Sequence, residues 1–126
     1  MRDNRMNTYY LRLSLEDGDV AEGDLEESCS ITSQRLCVKQ FLDAHSGLGT
    51  NFQEFVDDGY SGTNMERPGI QRLLGMVEQG LVRTIVVRDL SRFARNYLEA
   101  GHYLEFIFPA YGVRFISIND NYDSDD

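Results

Sequence analysis

The chain has 126 residues, 41% of them hydrophobic, which suits one globular domain with its own core. No apolar run is long enough to cross a membrane, and the opening "MRDNRMNTYY" lacks the apolar stretch of a signal peptide. The net charge of −9 argues at first against a nucleic-acid partner.

The distribution of that charge changes the reading. Segment 15–27, "LEDGDVAEGDLEE", holds seven acids and no base, and the end, "NDNYDSDD", holds four more. Removing those eleven acids takes −9 to +2. Eleven of the twelve basic residues are arginine, whose planar fork suits phosphate. Cys29 and Cys37 lie eight apart in a predicted helix, a spacing that suits neither a disulfide framework nor a zinc site. They are read as reduced packing residues of a cytoplasmic protein.

In chain order, residues 7–14, "NTYYLRLS", read as a strand by aromatic and aliphatic content. The acidic stretch 15–27 reads as a loop. Residues 29–45 carry apolar side chains at Ile31, Leu36, Val38, Phe41 and Leu42, a helical spacing, with Ser28 as the cap candidate and Gly47 as the stop. A short strand over 51–57 precedes the turn chemistry of "DDGYSGTN". Pro68 opens a helix through about Gln79, with Ile70, Leu73, Leu74 and Val77 on one face. "VRTIVV", 82–87, is a continuous β-branched run that predicts a strand buried on both faces. A third helix is expected over 96–108, turned out by Pro109 and Gly112, and a fourth strand over 113–118, "VRFISI".

Strand and helix therefore alternate, without repeats or a second domain. The expected fold class is α/β: a three-layer α/β/α domain with a mostly parallel sheet of four or five strands. Ligands bind such sheets outside the carboxyl ends of the strands. There the first strand delivers Arg12 and Ser14, the second Asp57, Asp58 and, past the turn, Arg67, and the third Arg88, Asp89, Arg92 and Arg95.

A serine hydroxyl needs a base or charge stabilisation to act as a nucleophile. His45 and His102 fall in helices away from that edge. There is no G-x-S-x-G elbow and no Walker loop. Several guanidiniums around one hydroxyl suit an anionic, trigonal-bipyramidal phosphorus transition state, with carboxylates to orient them or move a proton. Arginines crowding the edge disfavour a catalytic metal. The bland alternative is that these arginines only pair with neighbouring acids.

Three motifs sharpen the choice. Tyr10-Leu-Arg12-Leu-Ser14 resembles the Y-x-R-x-S signature that opens the catalytic domain of serine recombinases, the resolvase and invertase family. "DDGYSGTNMERPGIQRLL" resembles that family's D-x-x-S-G…R-P-G segment, and "VVRDLSRFARN" its third-strand segment ending in D/S-R-x-x-R. "ESCSITSQR", "DDGYSGTN" and "GVRFISINDNYDS" are similar to large serine recombinases of mobile elements, including conjugative transposons and phage integrases.

The resemblance implies a site-specific DNA recombinase in which Ser14 attacks a phosphodiester to give a 5′-phosphoserine link. Arg12, Arg67, Arg92 and Arg95 match the arginines around the scissile phosphate. Tyr10, Gln34 and Ser61 match residues that bind near it, and Asp58 matches the carboxylate after the second strand. It implies no metal and no nucleotide cofactor, double-stranded DNA as partner, and a homodimer to tetramer in the full-length protein. It further implies that residues 1–126 are one catalytic domain, with DNA-binding domains expected beyond Asp126. Ser91 stands where many small resolvases have aspartate, and Ala94 replaces a frequent glycine. The acidic loop is longer than in small resolvases and is a candidate shield for Ser14. Two alternatives are a flavodoxin-like regulatory or interaction domain and a catalytically silent assembly domain of the same fold.

Overall fold

The computed structural model describes residues 5–13, 30–58, 67–94 and 97–125, without the side chains of Asp58 and Tyr97. Five strands form one sheet in the order β2-β1-β3-β4-β5. They are β1 (Met6–Leu13), β2 (Gln53–Asp58), β3 (Val82–Val87), β4 (Arg114–Ser117) and β5 (Tyr122–Asp123). The first four run parallel, and β5 pairs antiparallel with β4.

The strands are buried on both faces because helices cover both. On one face α1 (Ile31–Ala44) packs Val38, Phe41 and Leu42 onto Tyr9, Leu11, Val86 and Ile116. On the other, α2 (Pro68–Glu78) and the helical run 97–110 cover Tyr10, Ile85, Val87 and Phe115. The odd and even positions of β1 thus serve opposite cores, as strand pleating requires.

The sequence cues for α2 hold closely: Pro68 lies in the first turn, and Ile70, Leu73, Leu74 and Val77 are buried. For α1 the cap is Ser30, whose Oγ accepts the Ser33 amide at 3.0 Å, two residues later than the expected Ser28, which lies outside the described residues. Gly47 falls inside a short 3-10 turn, Ser46–Leu48, that follows the helix.

The third predicted helix differs most. A one-turn helix, α3 (Leu90–Phe93), follows β3 directly. The longer run then passes through α4 (Tyr97–His102), a π-helical stretch (Tyr103–Ile107) and α5 (Phe108–Ala110). Pro109 was expected to end it and instead sits inside its last turn. The π stretch explains why. The Phe108 amide reaches five residues back to the Tyr103 carbonyl, and the wider turn accommodates a proline that has no N–H to give. Gly112, with φ of 68°, makes the turn into β4.

The expected four or five strands number five, but no residues were assigned to the fifth, β5. It is held by Arg114, which donates to both Asp123 oxygens at 2.9 and 2.7 Å, and these bonds hold the Asp123 carboxyl below its ordinary range. Asp125 lies 3.6 Å from the same guanidinium. Part of the terminal acidic run is therefore structural.

Phe93 joins α3 to the core. Its ring lies 5.3 to 5.6 Å from those of Tyr103, Phe108 and Phe115. Among the described residues no helix is long and apolar enough to cross a membrane.

Phe93→Ala should cost about 3–5 kcal/mol in urea unfolding, because it empties the centre of that cluster.

A second prediction concerns acid. Arg35 donates to Glu54 at 2.6 and 3.0 Å, and Tyr9 donates at 2.9 Å. Those bonds, Arg35 first, lower the Glu54 pKa from its ordinary 4.5. A depressed carboxylate contributes stability that is complete above its unfolded value and fades as pH falls through the folded one. Glu54→Gln should therefore flatten the stability loss below pH 4.5 in acid-unfolding curves. Burial, and then Glu54, push Tyr9 up to about 12, so its own contribution fades only as pH rises from 10 towards about 12.

Candidate active site

The chain leaves β1 for β2 on one side and returns to β3 on the other, so the β1–β3 boundary is the switch point where such sheets bind ligands. The register shows the crevice. β1 pairs with β2 through Leu13↔Asp58, but with β3 only through Tyr10↔Val87. Beyond Tyr10 the β3 side of β1 has no strand partner among the described residues.

Gln34 of α1 fills that place. Its Oε1 accepts the Arg12 amide at 3.2 Å, and its Nε2 donates to the Arg12 carbonyl at 2.8 Å. The side-chain amide thus does the work of a strand and pins the last turn of β1. Gln34 is fully buried, which suits a group whose polar atoms are satisfied.

The helix α3 has only four residues, so its carbonyls outnumber its internal donors. Two arginines from distant elements supply the rest. Arg12 Nε donates to the Arg92 carbonyl at 3.0 Å, and its Nη2 donates to the Ser91 carbonyl. Arg67 Nη1 donates to the same Arg92 carbonyl at 3.1 Å, and Nη2 to the Phe93 carbonyl at 2.6 Å. Arg92 answers with Nη1 on the Arg12 carbonyl at 3.2 Å, while its Nε lies 3.4 Å from Asp89 Oδ1. Arg12, Arg67 and Arg92 are 0, 1 and 5% exposed. These carbonyl bonds orient the guanidiniums without cancelling their charge.

The start of α3 is held too. Asp120 Oδ2 accepts the Leu90 amide at 2.7 Å and the Ser117 hydroxyl at 2.6 Å. Nothing in the spacing of Asp120 distinguished it from the rest of the acidic run.

Behind Arg67 stands Tyr10. Its hydroxyl accepts from Arg67 Nη1 at 2.9 Å and donates to Asp57 Oδ2 at 2.7 Å. Burial raises the Tyr10 pKa far above the ordinary 10, with Arg67 opposing and Asp57 adding. The Tyr10 hydroxyl is thus held between Arg67 and Asp57, donating to the carboxylate. Asp57 also accepts the Gly69 and Ile70 amides at 2.7 and 2.9 Å, which caps α2 at the end where Arg67 enters. The R-P-G motif now has a physical basis. Arg67 reaches the crevice, Pro68 starts the helix, and a Cβ on Gly69 would lie 2.8 to 2.9 Å from the Val56 carbonyl and the Asp57 carboxylate.

The structure thus brings together Tyr10, Arg12, Gln34, Arg67 and Arg92 of the predicted set. Ser14, Ser61 and Arg95 lie outside the described residues, as does the side chain of Asp58. The carboxylate seen in the site is Asp57, which sequence reading placed at the edge but ranked behind Asp58. Its register opposite Arg12 is the signal that picks it out. The two histidines stay away: His45 stacks on Phe41 at 4.1 Å, and His102 lies against Tyr103 and Phe106. Cys37 is a half-buried free thiol; Cys29 lies outside the described residues.

The order 2-1-3-4-5 is shared with flavodoxin-like domains, so strand order alone does not exclude a regulatory domain. What marks this switch point is its lining of three buried arginines, Arg12, Arg67 and Arg92. Residues 8–126 match the family model for the resolvase N-terminal domain. The chain belongs to that family, the serine recombinase catalytic domains. Solved structures share the fold. The N-terminal catalytic domain of TP901-1 integrase is 24% identical with a TM-score of 0.76, covering 97% of this chain and 83% of that one. A resolvase-family site-specific recombinase from Streptococcus pneumoniae is 25% identical with a TM-score of 0.69, covering 97% and 78%. A serine recombinase from Sulfolobus solfataricus is 27% identical with a TM-score of 0.63, covering 91% and 69%. No curated protein matches the chain.

Gly69→Ala should destabilise the domain by about 1–3 kcal/mol, because the carboxylate and a backbone carbonyl both have to move. Asp57→Asn should restore none of that loss, and a double-mutant cycle on urea midpoints checks the coupling.

Proposed function

We propose that this chain cleaves and rejoins DNA strands, with Ser14 as the nucleophile. The observation that carries the reading is that Arg12, two residues before Ser14 in the chain, and Arg67 both donate to the Arg92 carbonyl, while Arg92 donates to the Arg12 carbonyl. Ser14 Oγ forms a bond to phosphorus, the bond from phosphorus to the deoxyribose 3′ oxygen breaks, the serine proton leaves to a base, and the departing 3′ oxygen takes up a proton from a general acid or water. The products are a 5′-phosphoserine link and a free 3′-hydroxyl. Attack by a 3′-hydroxyl on that link reverses the step, so the phosphoester bond is conserved and neither metal nor nucleotide is needed.

The three arginines, joined by Arg95, stabilise the nonbridging oxygens as charge accumulates on them. Pre-oriented donors in a water-poor crevice do this without reorganising during the reaction. Gln34, Tyr10 and Asp57 act as positioning residues, through Arg12 and Arg67 respectively. Asp58 and Ser61, on the loop after β2, complete the phosphate's surroundings. The partner is double-stranded DNA. In the full-length protein a homodimer or tetramer performs the exchange, with DNA-binding domains following this one.

The test is a covalent adduct. Full-length protein incubated with a duplex carrying its recombination site should yield a protein–DNA species in which the Ser14 peptide carries the phosphate. Ser14→Ala should yield none, and Arg92→Lys should slow its formation by about 10²–10³-fold, the usual cost of removing one oxyanion donor. An undiminished adduct in Ser14→Ala defeats the proposal.

A further inference from the structure

Arg88, the residue after β3, takes no part in the carbonyl lattice around α3. Val86 packs in the α1 core and Val87 in the α2 core, so strand alternation puts Arg88 on the α1 side. Arg12 shares the parity of Tyr10 and belongs to the opposite face. Arg88 nevertheless emerges at the same carboxyl edge of the sheet, one strand away from Arg12.

There it lines an open cavity of about 260 Å³ with Ser33, Leu36, Cys37 and Gln40 of α1 and Asn119 of the turn after β4. Nη1 of Arg88 is buried and has no hydrogen-bond partner among the described residues. That is unusual, because buried guanidinium N–H groups in folded proteins are almost always satisfied. Arg12 and Arg67 in this chain satisfy theirs with backbone carbonyls. The Asn119 amide donates to the Arg88 carbonyl at 2.7 Å, which fixes the turn beside the guanidinium. Among the described residues the polar lining is thus one cation, two side-chain amides, one hydroxyl and the Cys37 thiol, without a carboxylate. Such a lining offers donors to an oxyanion and repels a metal ion.

We propose that this cavity binds a phosphate group through Arg88. The source favoured is a backbone phosphodiester of the DNA strand beside the one held at Ser14, a choice that rests on the recombinase reading. The cavity then extends the phosphate track around the end of β3 onto the α1 face.

Cys37 shares the cavity, so its alkylation reports occupancy without any cleavage. Full-length protein carrying Ser14→Ala is treated with iodoacetamide at constant ionic strength, and peptide mass spectrometry separates Cys37 from Cys29. Inorganic phosphate at twice its dissociation constant should slow Cys37 alkylation about threefold. Duplex DNA should protect as well, Arg88→Gln should lose both protections, and Arg88→Lys should regain part. The salt slope of DNA binding should fall by about one phosphate in Arg88→Gln. Protection by phosphate but not by DNA overturns the backbone assignment and leaves a free-anion site. Equal protection in wild type and Arg88→Gln, or none from either probe, overturns the site itself. Failure of the recombinase reading registers elsewhere, as a missing Ser14 adduct with phosphate protection intact.

Discussion

One backbone carbonyl, that of Arg92, receives two buried guanidiniums. Arg12 comes to it from the end of β1 and Arg67 from the start of α2, while Arg92 itself returns a bond to the Arg12 carbonyl. Three segments far apart in sequence are thereby locked at one point. The lock forms because α3 is a single turn, too short to satisfy its own carbonyls. A longer helix here would have consumed those acceptors internally and left the arginines unplaced.

The sheet supplies the opening into which this lattice fits. β1 outruns its pairing with β3, and Gln34 takes over the backbone groups of Arg12 that a strand would otherwise bind. On the far side Tyr10 and Asp57 connect Arg67 to the first amides of α2, so the guanidinium is fixed from behind as well as in front. The result is fixed positive charge at the mouth of a crevice in a chain whose net charge is −9. In the reaction proposed for Ser14, that preorganisation is what favours a transition state whose charge grows in place.

Much of this was readable in the sequence, for identifiable reasons. β3 is a β-branched run, and α2 has a proline start with a regular apolar face; both are local signals, and both appear where expected. The motif arginines were assigned to one edge from alternation alone. The helix 97–110 misled because proline ordinarily ends a helix, and a π turn is not written in composition. β5 was hidden because its pairing depends on one arginine reaching Asp123 across the turn. Asp57 is adjacent to Asp58 and chemically identical to it, so its bonds to Tyr10 and to the start of α2 are not written in the sequence. The carbonyl lattice was beyond reach, since the sequence indicates which side chains arrive at an edge and not which backbone groups remain unpaired there. Asp120 belongs to the same class: its role depends on the Leu90 amide, thirty residues away.

The shared carbonyl makes a quantitative demand. Arg12→Met and Arg67→Met, alone and together, form a double-mutant cycle that urea unfolding can read. If both guanidiniums stabilise α3 through the Arg92 carbonyl, the two losses should fail to add by about 0.5–3 kcal/mol, as for groups in one hydrogen-bonded network. Losses that add to within about 0.5 kcal/mol, the behaviour of independent sites, would contradict it.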